Sequence, residues 1–246
     1  MGRVTTVDGW GQPVGDEVDW SGARRPRGEV LRGRHVRLEP LTEHHVDGLL
    51  DLGAHPRLWT YLSMEPPADR SEALRLVSQD DGVAYAVVDP ASGRFLGRAS
   101  YLRVQPQVGS IEVGAVMYLP VLQRTRGATE VQLLLARHAF EDLGYRRYEW
   151  KCDSLNAPSR RAALRLGFEE EGTWRQAMVV KGRNRDTTWF AITDRGWPRV
   201  RAAMDAWLDD ANHDAAGRQR RTLTEVRAGL VEPPGSDGPG RPVEPG

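Results

Sequence analysis

Residues 118 to 145, YLPVLQRTRGATEVQLLLARHAFEDLGY, constrain this chain more than any other stretch. The run opens as the end of a strand near Leu119 and passes through a short basic turn. It then enters an amphipathic helix expected from about Gly127 to Leu143, where Gly144 stops it. Ala128, Val131, Leu135 and Ala139 form a stripe at helical spacing, widened by Leu134 and Leu143, so this helix must bury one face. Its start points unpaired backbone N–H groups, and the positive end of its dipole, at whatever precedes it. With Gln123, Arg124 and Arg126 beside it, that end is suited to a phosphate-bearing ligand.

The flanking segments set the fold class. VRLEPL (36–41) alternates as a strand, and Thr42 caps a helix running through Leu52 with Val46, Leu49 and Leu50 on one face. A second helix is predicted from Ser71 to Val77. AYAVVD (84–89) and RFLGRASYLRV (94–104), joined by a Pro-Ala-Ser-Gly turn, read as a hairpin. SIEVGAVMYL (110–119) follows, with Ile111, Val113, Ala115, Met117 and Leu119 expected on one face and Glu112, Gly114, Val116 and Tyr118 on the other. After the central helix come a strand (145–153), a short helix opened by Asn156, Pro158 and Ser159 and ended at Leu166-Gly167, a closing hairpin, and a last helix over 197–208. Successive antiparallel strands preceded by two helices predict a mixed α+β fold rather than repeated βαβ units.

Appendages frame this region. Residues 1–28 are glycine-rich and aperiodic, an extended arm whose Trp10 and Trp20 are expected to bury against the domain at 29–212. Residues 213–246 read as a weakly helical segment (217–230) followed by a disordered Pro/Gly-rich tail. Lys plus Arg and Asp plus Glu number 34 each, which gives no electrostatic argument for nucleic acid or an anionic membrane. Arg24, Arg25, Arg27 and the run from Arg218 to Arg221 lie in the expected appendages, so a nucleic-acid reading of them is weak. A single cysteine, Cys152, excludes an intrachain disulfide and fits a reducing, cytoplasmic setting. No apolar run reaches the roughly 20 residues that span a bilayer, and His44, His45 and His138 stand at no metal-ligand spacing.

Three groups of residues then carry a resemblance: Gln123-Arg124-Thr125-Arg126-Gly127-Ala128-Thr129-Glu130, Asn156-Ala157-Pro158-Ser159, and Leu166-Gly167-Phe168 with Glu171-Gly172 behind. In this order the chain resembles the GNAT superfamily of N-acetyltransferases, and the spacing of the last two groups resembles the branch holding the ribosomal-protein N-terminal acetyltransferases RimJ and RimL. The resemblance covers roughly Leu31 to Leu208. It implies the GNAT fold, a strongly twisted, mostly antiparallel sheet of about six or seven strands flanked by helices. It also implies acetyl-CoA as donor and a primary amine as acceptor, on a small molecule or at a protein N-terminus. The alternative is a CoA-binding domain without transferase activity, used for sensing or assembly. The sequence is compatible with a monomer or a homodimer.

Two departures accompany the likeness. Arg126 stands where the family's pyrophosphate loop usually has glycine; an ordinary backbone there would still present its N–H. Met178 stands where a RimL-like carboxylate would fall.

By resemblance, Glu112 is the candidate base and Ser159 the candidate acid; a plain strand carboxylate and a helix-start serine are the other readings. The cofactor would be held by backbone at Val116, Met117 and Tyr118, where a bulge would free N–H donors. Gln123, Arg124, Thr125, Arg126, Gly127, Ala128 and Thr129 would hold its phosphates, with Asn156 and Ser159 farther along. Trp59 and Tyr61, and less strongly Trp150 and Trp189, are candidates to line the acceptor pocket, although most aromatics are simply core. Asp186 and Glu171 are lesser candidates for the base.

Overall fold

The alternating segments pair into one eight-stranded sheet in the order β1-β2-β3-β4-β5-β6-β8-β7. The computed structural model describes residues 6–77 and 82–230; the expected Pro/Gly-rich tail lies outside them. The strands are β1 (Leu31–Arg32), β2 (Arg37–Pro40), β3 (Val83–Val88), β4 (Phe95–Gln105), β5 (Ser110–Tyr118), β6 (Arg147–Asp153), β7 (Glu169–Val180) and β8 (Arg183–Thr193). Every neighbouring pair is antiparallel except β5 with β6. The expected mixed fold holds; the strand count exceeds the expected six or seven because the two-residue β1 pairs with β2 at one edge of the sheet.

Helices cover both faces. On one, α1 (Val46–Gly53), α2 (Arg70–Val77) and the 3-10 turn Pro56–Trp59 between them pack Val46, Leu49, Leu52, Trp59, Ala73 and Leu76 against Ala86, Val88 and Met117. On the other lie α3 (Arg126–Arg137), α4 (Ala157–Leu166), α5 (Trp197–Leu208) and α6 (Leu223–Ala228), over Tyr85, Tyr101, Ile111, Val113 and Tyr148. The central helix stops short of its apolar stripe: α3 passes into one π-helical turn, His138–Asp142. The Tyr101 hydroxyl donates to the Leu135 carbonyl at 2.6 Å where the wider turn is about to begin.

The face assignment of β5 differs from simple alternation. Arg98 pairs with Met117 and Ser100 with Gly114, so β5 carries one extra residue between them, with Ala115 at φ +47°. An extra residue inverts the parity of everything after it. Ile111 and Val113 therefore face the α3 side, whereas Met117 and Leu119 turn to the α1 side and Val116 and Tyr118 take their place.

The appendages also depart from expectation. Trp20 docks, its indole N–H donating to the Gln107 carbonyl at 2.8 Å and its ring lying under Arg146, but Trp10 is 88% exposed. The segment expected to be a loose surface helix is part of the domain. In α6, Thr222 and Glu225 form a reciprocal cap, and Leu223 and Val226 enter the main core. The domain thus extends past the expected boundary at 212. Leu223 is 1% exposed, so Leu223→Ala is expected to cost about 2–4 kcal/mol of folding stability. Urea denaturation of the full chain measures it; a change below about 0.5 kcal/mol would mean the segment is merely appended.

Candidate active site

β5 and β6 pair only from Ser110–Arg147 to Glu112–Glu149. Beyond Glu112 the bulged end of β5 leaves β6, and a cleft of about 2600 Å³ runs through the gap. Gly114 to Tyr118 line one side and Trp150 to Asp153 the other. The part of β5 that faces β6 here has no strand partner, so N–H groups around Val116 to Tyr118 are not consumed by a ladder on that side.

Glu112 stands where the strands part. Its side chain is 2% exposed; Lys151 Nζ lies 3.1 Å from Oε2 and Arg103 Nε 3.7 Å. Burial pushes the Glu112 carboxyl above its ordinary range, and Lys151 and Arg103 oppose that shift without cancelling it. Both cations sit over the Trp189 ring, at 5.3 Å for Lys151 and 4.8 Å for Arg103. Trp189 in turn lies 4.9 Å from Trp174, centroid to centroid. A Cβ on Gly114 would come within 2.5 Å of Leu102 Cδ1 and 3.1 Å of Glu112 Oε1, so glycine makes room for the carboxylate. Lys151 and Arg103 were not singled out from the sequence; only the β5–β6 and β4–β5 pairings bring them to Glu112, and local alternation carries no sign of that.

The basic turn and start of α3 form the next part of the cleft. Arg126 is the first residue of α3 in ordinary helical conformation, while Arg124 takes the left-handed bend at φ +62°. Thr125 is the N-cap, accepting from Ala128 N–H at 3.3 Å, so the N–H groups of Arg126 and Gly127 remain as the free donors of a helix start. Gln123 donates to the Tyr118 carbonyl at 2.8 Å and ties the turn to the end of β5. The Arg126 guanidinium is held by Asp210 at 2.9 Å, which also binds Arg34. Gly127 is a packing glycine: a Cβ would approach Leu122 and Val36 at 3.0 Å. Thr129 is buried and accepts from Arg165.

Farther along, Asn156 is the N-cap of α4 and accepts from Ser159 N–H at 3.1 Å. The Ser159 hydroxyl accepts from the Trp150 indole at 3.0 Å. It also hydrogen-bonds Cys152, which partly offsets the burial that pushes this thiol up. Asn156, Ser159 and Trp150 all line the cleft.

Of the aromatic candidates, Tyr61 lines the cleft and Trp189 backs the two cations, but Trp59 does not reach it. Trp59 is 1% exposed in the core beneath α1, with its indole N–H on the Leu52 carbonyl; a large ring following α1 was needed for packing. Trp150 belongs with Ser159 rather than with Tyr61. Asp186 is taken by Gln176 N–H and Asn184, and Glu171 by Arg147. Among the described residues no cluster of His, Cys, Asp and Glu could hold a metal, and no helix is long and apolar enough to cross a membrane.

Residues 35–169 match the family model described as the acetyltransferase (GNAT) domain. The chain belongs to this family. A GCN5-related N-acetyltransferase from Brucella melitensis is 44% identical with a TM-score of 0.82, over 85% of this chain and 99% of that one. A probable GNAT acetyltransferase from Chromobacterium violaceum is 40% identical with a TM-score of 0.71, over 76% and 99%. A Salmonella typhimurium acetyl transferase that modifies the N-terminal serine of a 50S ribosomal subunit protein shares the fold, at 21% identity and a TM-score of 0.60, over 67% and 99%. This GNAT chain is accordingly an N-acetyltransferase, of a family whose donor is acetyl-CoA. Nothing in these likenesses supports an inactive CoA-binding domain.

One contact ties the start of α3 to the backbone before β2. Glu130, one turn into α3, accepts backbone N–H groups from Arg34 (2.9 Å), His35 (2.6 Å) and Val36 (2.9 Å). Gly33 is required beside it, since a Cβ there would meet Glu130 Oε2 at 2.4 Å. Glu130→Ala strands these donors and is expected to cost about 3 kcal/mol, read from urea denaturation; a loss under about 1 kcal/mol would show that water replaces the carboxylate.

Proposed function

We propose that the chain moves an acetyl group from acetyl-CoA directly to a primary amine, with Glu112 as the base. The observation carrying this reading is the buried Glu112 carboxylate at the point where β5 leaves β6. Acetyl-CoA, when bound, supplies the thioester carbonyl that the amine attacks and the thiolate that leaves. The Arg126 and Gly127 N–H groups at the start of α3 suit its phosphates, and Asn156 suits the amides of its arm. Free N–H groups along Val116 to Tyr118 would polarise the carbonyl. Ser159 orients the sulfur end and offers its hydroxyl proton there, although Trp150 and Cys152 already engage that oxygen.

The acceptor amine enters between Tyr61 and the Trp189 shelf and loses its proton to Glu112, directly or through one water. Desolvation makes this carboxylate a stronger base than an exposed one, and Lys151 and Arg103 work against that shift by favouring its charged form. The acceptor is a small-molecule amine or a protein N-terminus. The Asn156-x-x-Ser159 and Leu166-Gly167-Phe168 spacing and the fold shared with the Salmonella enzyme favour a RimJ/RimL-like position. Met178, in place of a carboxylate, argues against the same protein substrate. A screen of acetyl-CoA consumption against peptides, amino acids and aminoglycoside-like amines distinguishes these.

On whichever acceptor responds, Glu112→Gln is expected to lower kcat by about 100-fold while CoA affinity by calorimetry stays unchanged. In the parent enzyme kcat/KM should rise with pH through an ionisation above the usual carboxylate range, because only the deprotonated Glu112 accepts a proton. That acid limb should vanish in Glu112→Gln. Unchanged turnover in the variant would sink the base assignment.

A further inference from the structure

The cleft does not end at the start of α3. It continues to a wall made by Trp207, Arg218, Thr222 and Arg227, all beyond the family-matched residues 35–169. Arg165 stands between this wall and α3. Its guanidinium lies over the Trp207 ring at 4.8 Å, and both terminal nitrogens point to one neutral oxygen, Thr129 Oγ1, at 3.2 Å.

Arg165 has no carboxylate partner among the described residues, and unlike Arg185 and Arg227, which donate to backbone carbonyls, its guanidinium reaches only one hydroxyl. Arg126, Arg137, Arg160 and Arg218 are each paired with an Asp or Glu. Arg165 is half-buried and paired with none among the described residues, and burial alone lowers its pKa. Withdrawing a cation from water without an anion is costly, and five planar N–H donors are poorly used on one hydroxyl. Arg227 is not the missing partner: it donates to the Arg165 and Leu164 carbonyls and fixes the end of α4.

We propose that Arg165 binds the 3′-phosphate of the donor CoA, with the C-terminal segment closing that end of the cleft. The proposal rests on the acetyl-CoA reading above. Coenzyme A carries two separate anionic groups, a pyrophosphate and a phosphomonoester. The free N–H groups at the start of α3 suit the first, and Arg165, against Thr129 in the next turn of the same helix, suits the second. A guanidinium backed by an aromatic face presents its edge to phosphate oxygens in bidentate fashion.

Calorimetry with CoA and with 3′-dephospho-CoA tests this on the full chain. The parent protein is expected to bind CoA at least about tenfold more tightly, the equivalent of one charge-assisted hydrogen bond. Arg165→Gln should abolish that preference and leave affinity for dephospho-CoA unchanged, which also shows the variant is folded; Arg165→Lys should restore part of it. A preference that survives in Arg165→Gln, or equal weakening toward both ligands, would overturn the assignment and leave Arg165 a packing residue. Binding of CoA by the parent protein without any preference sinks this proposal alone, whereas no binding of either ligand sinks the acetyl-CoA reading with it.

Discussion

Everything at the site depends on β5 and β6 ceasing to pair after Glu112. A continued ladder would use the backbone N–H groups beyond that point and leave no gap for a ligand. The bulge around Ala115 steers β5 away, at the cost of a left-handed backbone in a residue with a Cβ, about 1 kcal/mol. The same bulge lets one strand serve two cores: Ile111 and Val113 pack under α3 and Met117 and Leu119 under α1. The opening is thus held by the packing of both faces.

Electrostatics follow from that geometry. Glu112 is buried because its strand is covered there, and it stays usable because Lys151 from β6 and Arg103 from β4 reach it across the sheet. Both cations rest on Trp189, so a ring that would otherwise be ordinary packing sets where the charges stand. Around the other end, α3 is pinned by Glu130 to the backbone before β2 and by the Arg126–Asp210–Arg34 bridge to the segment after α5. The basic turn and the start of α3 are therefore positioned by chain elements far from them in sequence.

Much of the fold was legible because it rests on local signals. The alternating strands, the central helix and the Asn156-Pro158 helix start appear near where their patterns put them, whereas the opening of β5 around Val116 to Tyr118 was expected only through the family resemblance. Trp59 was misread as a pocket residue because an aromatic near a cleft and an aromatic under a helix have the same local sequence. The 217–230 segment was misread as loose because few apolar residues, Leu223, Val226 and Leu230, carry its docking, too few for a periodic signal. Trp10 and Trp20 look equivalent in the arm, yet only Trp20 finds an acceptor and a cation.

By itself the sequence determined the order and type of the elements, the helix start behind a basic turn, and the family, since these depend on neighbouring residues within one turn or one strand. The tertiary structure alone decided that Glu112 meets Lys151 and Arg103, that Arg126 is held by Asp210, and that Arg165 has aromatic and hydroxyl neighbours but, among the described residues, no carboxylate. Those are contacts between distant parts of the chain, set by sheet register and helix docking, and a single β5 residue out of step moves half of a strand to the opposite face.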